Sequence, residues 1–367
     1  GIYGFPGQGG TSLNNLKVTA WRAISSLYNI GSDDLIFFYR TLGEHPGSQE
    51  FHGIFKISTV NGVPIRLLHP EDDRYLPLLR KKKKQSYMPF RFIFDKLSPT
   101  PISIPNDLRN RKGRRNNNLT IIKALSETDP NKPRLWGFRH PAVMNIGAAR
   151  KKSIVAISHR QAIFLLELLR NGVERPIAYN FSNLESYNLS CLPPDCVLLD
   201  SEFIGKHLYR YVDNPAIEFE AELYAYILCA IKDKQSPYHK DLIDQFYEIN
   251  ADSGVDFRDI SENVILEALL TPHIQEEADI LLCDSEEKNF LIIEAKKHPV
   301  SSEDVEQAQK YIQLVKHVFP NSENVIANII CPKDIKRGFR TKDVKVVHFE
   351  IEQMPGNMAK VNFALAR

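Results

Sequence analysis

Cysteine is scarce in this sequence, and none of it is spaced as a metal-binding pair. Cys191, Cys196, Cys229, Cys283 and Cys331 contain no Cys-X-X-Cys arrangement. That argues against a structural zinc site, and an odd set of thiols fits a reducing, cytoplasmic compartment. Cys191 and Cys196 flank Pro193-Pro194, which reads as a loop. No apolar run reaches the roughly 20 residues that a membrane-spanning helix needs, and no secretory signal pattern is found. Internal repeats are absent, and one lysine run is the only low-complexity segment.

What is present is ordinary in bulk and lopsided in detail. Of 367 residues, 43% are hydrophobic and 25% charged, as in a soluble globular protein of two or three domains. The net charge of +2 conceals a division. Residues 1–175 carry 28 Lys and Arg against 13 Asp and Glu, a net of +15; the remainder carry 19 against 32, a net of −13. Such asymmetry points the first half at a polyanion. The clusters Arg80 to Lys84, Arg109 to Arg115 and Arg150 to Lys152 each suit phosphates, with Lys81, Lys82, Lys83, Lys84, Arg109, Arg111, Arg114 and Arg115 as the candidate contacts.

The chemistry-bearing segment runs from Ala278 to Tyr311. Ala278-Asp279-Ile280-Leu281-Leu282-Cys283 and Phe290-Leu291-Ile292-Ile293-Glu294-Ala295-Lys296 are two apolar runs around a polar stretch, and they read as a β-hairpin. The loop contains neither Gly nor Pro. With Ser285 to Lys288 as a four-residue loop, antiparallel pairing sets Asp279 opposite Glu294. Strand alternation puts Glu294 and Lys296 on one face. A slip of one residue would destroy that convergence. As a bare tripeptide Glu-X-Lys carries no weight, but the apolar run Leu291 to Ile293 marks a central strand whose charged end is costly unless used. Carboxylates so paired suit a hard cation that keeps several waters and leaves room for a phosphate. A cation there would lower the pKa of an attacking water, and the lysine could orient it.

This constellation resembles the PD-(D/E)XK nuclease superfamily, which includes restriction endonucleases. Asp279 stands for the motif's Asp, and Glu294-Ala295-Lys296 for its Glu-X-Lys; Ala278 replaces the usual preceding Pro. The resemblance implies Mg²⁺ or Mn²⁺ held at Asp279, Glu294 and Ala295. Ser302 to Val318 reads as a helix with Val305, Ala308, Ile312 and Val315 on one stripe. On it Gln307 and Tyr311 lie i, i+4 and match an accessory Gln-X-X-X-Tyr motif of some such nucleases.

The neighbouring elements fit an α/β (α+β) class. A helix over Pro215 to Asp233, a strand over Asn263 to Leu270, the hairpin, the helix, and strands at Asn324 to Cys331 and Val344 to Ile351 give the restriction-endonuclease-like αβββαβ core. Members often place a glutamate on the first helix beside the metal. Glu218 and Glu222 share a face there while Glu220 points elsewhere, so Glu222 is preferred, with Glu218 next.

In the basic half, Lys17 to Leu27 reads as a helix. Asp33 to Arg40, Phe51 to Val60 and Met88 to Phe94 read as strands, and Ser158 to Asn171 as a helix closed by Gly172. Short strands with interspersed helices suggest a small, partly open β-barrel. In coarse spacing it resembles the EVE and YTH branch of the PUA-like fold, carried by Trp21, Asp34 to Tyr39, Gly53 to Ile57 and Met88 to Phe92. That likeness implies nucleic-acid binding, with Trp21 and Tyr39 as candidates to stack on a flipped base. Plain core aromatics are the competing reading of both.

Three regions result: a basic PUA-like DNA-binding domain (1–172), a partly packed linker (173–214) and a nuclease domain (215–367). The expected function is metal-dependent cleavage of double-stranded DNA, as a restriction enzyme with a reader for DNA or a modified base, acting as a homodimer promoted by DNA. The alternatives are a repair or structure-specific nuclease, and a nucleic-acid-binding protein with an inactive nuclease fold.

Overall fold

The computed structural model describes residues 2–5, 18–39, 51–68, 80–81, 84–85, 90–97, 102–104, 157, 159–170, 173–174, 197–256, 263–269, 277–333 and 341–366. They form a mixed α/β fold with two large sheets and six α-helices. No helix among them is long and apolar enough to cross a membrane.

The basic half contains β1 (Ile2–Phe5), α1 (Val18–Tyr28), β2 (Leu35–Tyr39), β3 (Phe51–Ile57), β4 (Thr59–Val60), β5 (Val63–Pro64), β6 (Arg66–Leu68), β7 (Arg80–Lys81), β8 (Lys84–Gln85), β9 (Phe90–Lys96), β10 (Ile102–Ile104), α2 (His159–Arg170) and β11 (Val173–Glu174). An eight-stranded sheet runs β11-β10-β3-β9-β6-β12, with β1 on β9 and β2 on β3; its last strand, β12 (Val197–Leu198), comes from the stretch joining the halves. Phe38, Phe55, Phe92 and Phe94 interlock on this sheet, ring centroids 4.8–5.9 Å apart.

The acidic half follows with α3 (Ser201–Tyr209), α4 (Glu220–Lys232), α5 (His239–Ile249), β13 (Asn263–Leu269), β14 (Glu277–Cys283), β15 (Asn289–Ala295), α6 (Ser302–Val318), β16 (Asn324–Pro332), β17 (Val344–Met354) and β18 (Met358–Leu365). The second sheet follows chain order from β13 to β18; β15, β16 and β17 are parallel and the other pairs antiparallel. The helix expected from Pro215 begins at Glu220, and two elements were not anticipated: α5, which buries Leu242, Ile243, Phe246 and Ile249 at helical spacing, and β18, which alternates along most of its length.

Both faces of β15 are buried. Leu291, Ile293 and Ala295 share a cluster with α4, and Phe290 and Ile292 share one with α6. That double burial is why the strand reads as an unbroken apolar run instead of an alternation. The cluster on the α4 side continues without a break into the basic half, through Trp21, Ile24, Leu27 and Tyr28 of α1 to Phe55 and Phe92.

Candidate functional site

The β14–β15 hairpin has the register that the apolar pattern predicts, with Ile280 opposite Ile293 and Cys283 opposite Phe290 around a four-residue loop. A side chain makes the turn without Gly or Pro. Asp284 accepts from Lys288 N at 2.8 Å and from Asn289 Nδ2 at 2.7 Å, and Glu287 takes a left-handed φ of 58°.

Beyond Ile280 the ladder changes character. Asp279 N donates to Glu294 Oε1 at 3.1 Å, and Ala295 N donates to Asp279 Oδ2 at 2.9 Å. Each carboxylate thus takes a main-chain donor of the opposite strand. On the other side, Lys296 N donates to Ile330 O at 2.7 Å and locks the end of β15 to β16. Lys296 Nζ donates to Glu294 Oε2 and Gln307 Oε1, each at 3.4 Å, and lies 3.6 Å from Asp304 Oδ1. Gln307 Nε2 donates to Tyr311 OH at 2.6 Å, and Tyr311 OH donates to Glu277 O at 3.2 Å. Asp279, Glu294, Lys296, Gln307 and Tyr311 are therefore one connected group at the end of β15. Tyr311 is buried, and it holds Gln307 in place from behind.

The helix glutamate beside this group is Glu220, which corrects the preference for Glu222. Glu220 Oε1 accepts from Lys297 N at 3.3 Å and acts electrostatically on Asp279 and Lys296. One turn on, the Tyr224 hydroxyl faces Asp279 and helps stabilise its charge. Glu222 faces away: it is fully buried, accepts from Arg210 Nη2 at 3.0 Å and lies 3.6 Å from His207 Nε2. Glu218 is exposed and 3.9 Å from Arg210. The pair that works together is Glu220 and Tyr224, at i, i+4 on the face of α4 turned toward the strand end. Asp304 was also missed, although its place three residues after Ser301 is capping-box spacing.

The electrostatics follow from burial. Desolvation raises the Asp279 carboxyl to about 6, against the opposing pull of Ala295 N–H, Tyr224 and Lys296. Desolvation and then the charge of Asp279 raise Glu294 further, to about 8. Burial alone would depress Lys296, but Glu294, Asp279 and Asp304 outweigh it and hold the ammonium above its usual range. Burial works against the Asp304 charge as well, yet the Ser301 hydrogen bonds and Lys296 keep that carboxyl below its usual range.

A buried carboxylate, Glu294, and a half-buried one, Asp279, both with raised pKa values, favour a proton or a cation. The donors are oxygens, those of Asp279 and Glu294 together with the main chain of Ala295, whose methyl side chain is buried and has nothing to ligate with. That set suits Mg²⁺ or Mn²⁺ in kind, since such ions use one or two carboxylates and retain water. Among the described residues no group of three or more His, Cys, Asp or Glu side chains is arranged to hold a metal, so water or substrate would complete the coordination.

The nucleic-acid candidates fare differently. Trp21 is a core residue, 0% exposed, with its ring 4.3 Å from that of His207 and 6.3 Å from that of Phe203; no face is open to a base. Lys81 and Lys84 pair in the β7–β8 ladder and Tyr39 closes β2, but their side chains lie outside the described residues. Lys82, Lys83, Arg109, Arg111, Arg114 and Arg115 lie outside them entirely. No family model, curated protein or solved structure matches this chain.

Proposed function

We propose that the chain is a divalent-metal-dependent phosphodiester hydrolase acting on double-stranded DNA, with the acidic half in the role of a restriction-endonuclease-like domain and the basic half as its DNA reader. The observation that carries this reading is the reciprocal pairing of Asp279 and Glu294 across the end of β15, with Lys296 against Glu294. One main-chain N–H bond to each carboxylate leaves their remaining oxygens and their raised pKa values without full compensation, a cost that is useful to a cation site.

Mg²⁺ or Mn²⁺ bound there would supply charge stabilisation for the phosphoryl oxygens and an acidified water. Asp279 and Glu294 would hold it, with Ala295 N–H fixing Asp279, Tyr224 beside that carboxylate and Glu220 adding negative charge from α4. Lys296 offers an N–H to the attacking water or the scissile phosphate. Gln307 and Tyr311 fix the lysine's position. The basic half contributes sequence-independent phosphate contacts that set affinity and make it depend on salt.

One such centre cuts one strand. A double-strand break needs two chains, most simply a two-fold dimer. Acidic halves of −13 repel each other, so DNA on the basic halves is the agent that brings them together.

Cleavage of plain, methylated and mismatched duplexes with and without Mg²⁺ tests this reading. Cleavage that needs the metal and vanishes in Asp279→Ala, with DNA binding retained, supports it. Preference for methylated or mismatched substrates separates restriction from repair. Binding without cleavage on every duplex would leave a nucleic-acid-binding protein.

A further inference from the structure

Lys296 has more partners than the Glu-X-Lys motif gives it. Its Nζ is 3.4 Å from Glu294 Oε2, 3.4 Å from Gln307 Oε1 and 3.6 Å from Asp304 Oδ1. A cation bound to Glu294 neutralises much of the charge that holds the ammonium, so a second anion beside Lys296 keeps it in place when the site is in use. Asp304 is placed to be that anion.

Its geometry divides into two tasks. Oδ2 accepts from Ser301 N at 2.9 Å and Ser301 Oγ at 2.8 Å, and Asp304 N donates back to Ser301 Oγ at 3.3 Å. These bonds complete the capping box of α6. The box leaves Oδ1 over, and Oδ1 is the atom nearest Lys296. Both side chains are largely buried, 11% and 14% exposed, so the attraction is only weakly screened by solvent.

We propose that Asp304 is a positioning residue: with Gln307 it anchors the Lys296 ammonium to the first turn of α6, freeing Glu294 for the cation and leaving an N–H for the reacting oxygens. An ammonium has three donors; Gln307 accepts from one, and Asp304 holds the charge as an ion pair. This role rests on the hydrolase reading above.

Four proteins test it: wild type, Asp304→Asn, Asp304→Glu and Ser301→Ala, each measured for kcat, KM for DNA, Mg²⁺ dependence and Tm. Asp304→Asn keeps an acceptor for Ser301 but removes the charge from Lys296. We expect kcat to fall on the order of tenfold to a hundredfold, with KM and Tm nearly unchanged. Asp304→Glu keeps the charge at a position where glutamate also caps, and retains more kcat than Asp304→Asn. Ser301→Ala lowers Tm and leaves kcat close to wild type. Parallel losses of Tm and kcat in Asp304→Asn and Ser301→Ala would reduce Asp304 to a helix cap and overturn the proposal. A wild-type protein that cleaves nothing would overturn the hydrolase reading, and the proposal with it. A cleaving wild type with an equally active Asp304→Asn overturns the proposal alone.

Discussion

Arg66 and Asp233 form a two-pronged ion pair across the boundary between the basic and acidic halves, Nη1 to Oδ2 at 2.9 Å and Nη2 to Oδ1 at 3.0 Å, with side chains 0% and 2% exposed. Arg66 Nε also donates to Leu27 O at 2.9 Å, and Nη2 to Ile30 O, so the guanidinium collects carbonyls at the end of α1 as well. Asp233 is the C-cap of α4, the helix whose other end presents Glu220 and Tyr224 to the Asp279–Glu294–Lys296 group. The clasp therefore sets where α4 sits.

Removing one partner should be expensive. Asp233→Ala strands a buried guanidinium, and a loss of about 3–5 kcal/mol is expected. Urea denaturation followed by tyrosine fluorescence measures it. An apolar double replacement, Arg66→Met with Asp233→Leu, should cost much less, because it removes both charges together. A single-variant loss under ~1 kcal/mol would show that the halves do not depend on the pair.

Cutting the chain after Gly172 tests how far the basic half stands alone. Trp21, Ile24, Leu27 and Tyr28 are buried in a cluster that includes Ile204, Leu208 and Leu228, and β12 completes the first sheet from beyond the cut. Residues 1–172 on their own should aggregate or bind a hydrophobic dye, whereas the full chain should not. A soluble fragment with one cooperative transition would show that the shared core is dispensable.

Glu220 and Glu222 make a controlled comparison on one helix. Glu220→Gln should weaken Mg²⁺-dependent cleavage with little change in stability, since its side chain serves the site. Glu222→Gln should do the reverse: it removes a buried partner of Arg210 and should cost about 1–3 kcal/mol while leaving cleavage intact. Assay and thermal melt on both variants decide it, and cleavage lost in Glu222→Gln at unchanged stability would return the metal-site role to Glu222.

The strand end was legible in the sequence because the polar loop Ser285 to Lys288 fixes the register of the hairpin. With Cys283 opposite Phe290, pairing carried back along both strands puts Asp279 against Glu294. The Gln307–Tyr311 pair was legible for a similar reason, since helical spacing fixes which side chains meet. The face of α4 was not legible. The helix is buried nearly all round, from Ala221 to Ile231, and a helix apolar on every side has no stripe from which its rotation can be read. Choosing between Glu220 and Glu222 needed the packing of α3, whose His207 and C-cap Arg210 claim Glu222. Trp21 was ambiguous by nature, because an aromatic that stacks on a base and one that fills a core look alike until their neighbours are known.

The raised carboxyls make stability depend on pH in a direction opposite to the common one. Asp279 and Glu294 are raised to about 6 and about 8 by burial, while in the unfolded chain both titrate near pH 4. Between pH 4 and 8 the folded protein therefore binds more protons than the unfolded one, and stability falls as pH rises. Their contribution is fully present below about pH 4 and is lost as pH passes through the folded values. The metal-free protein should melt at progressively lower temperature across that window, and Glu294→Gln, which replaces the higher of the two, should flatten the slope. On the proposed function Mg²⁺ would bind the ionised pair, so its stabilising effect should grow from pH 5 to pH 8, and EDTA should abolish it. Calorimetry at several pH values with and without Mg²⁺ reads all three trends. A metal-induced rise in Tm that is the same in Asp279→Asn as in wild type would place the cation elsewhere.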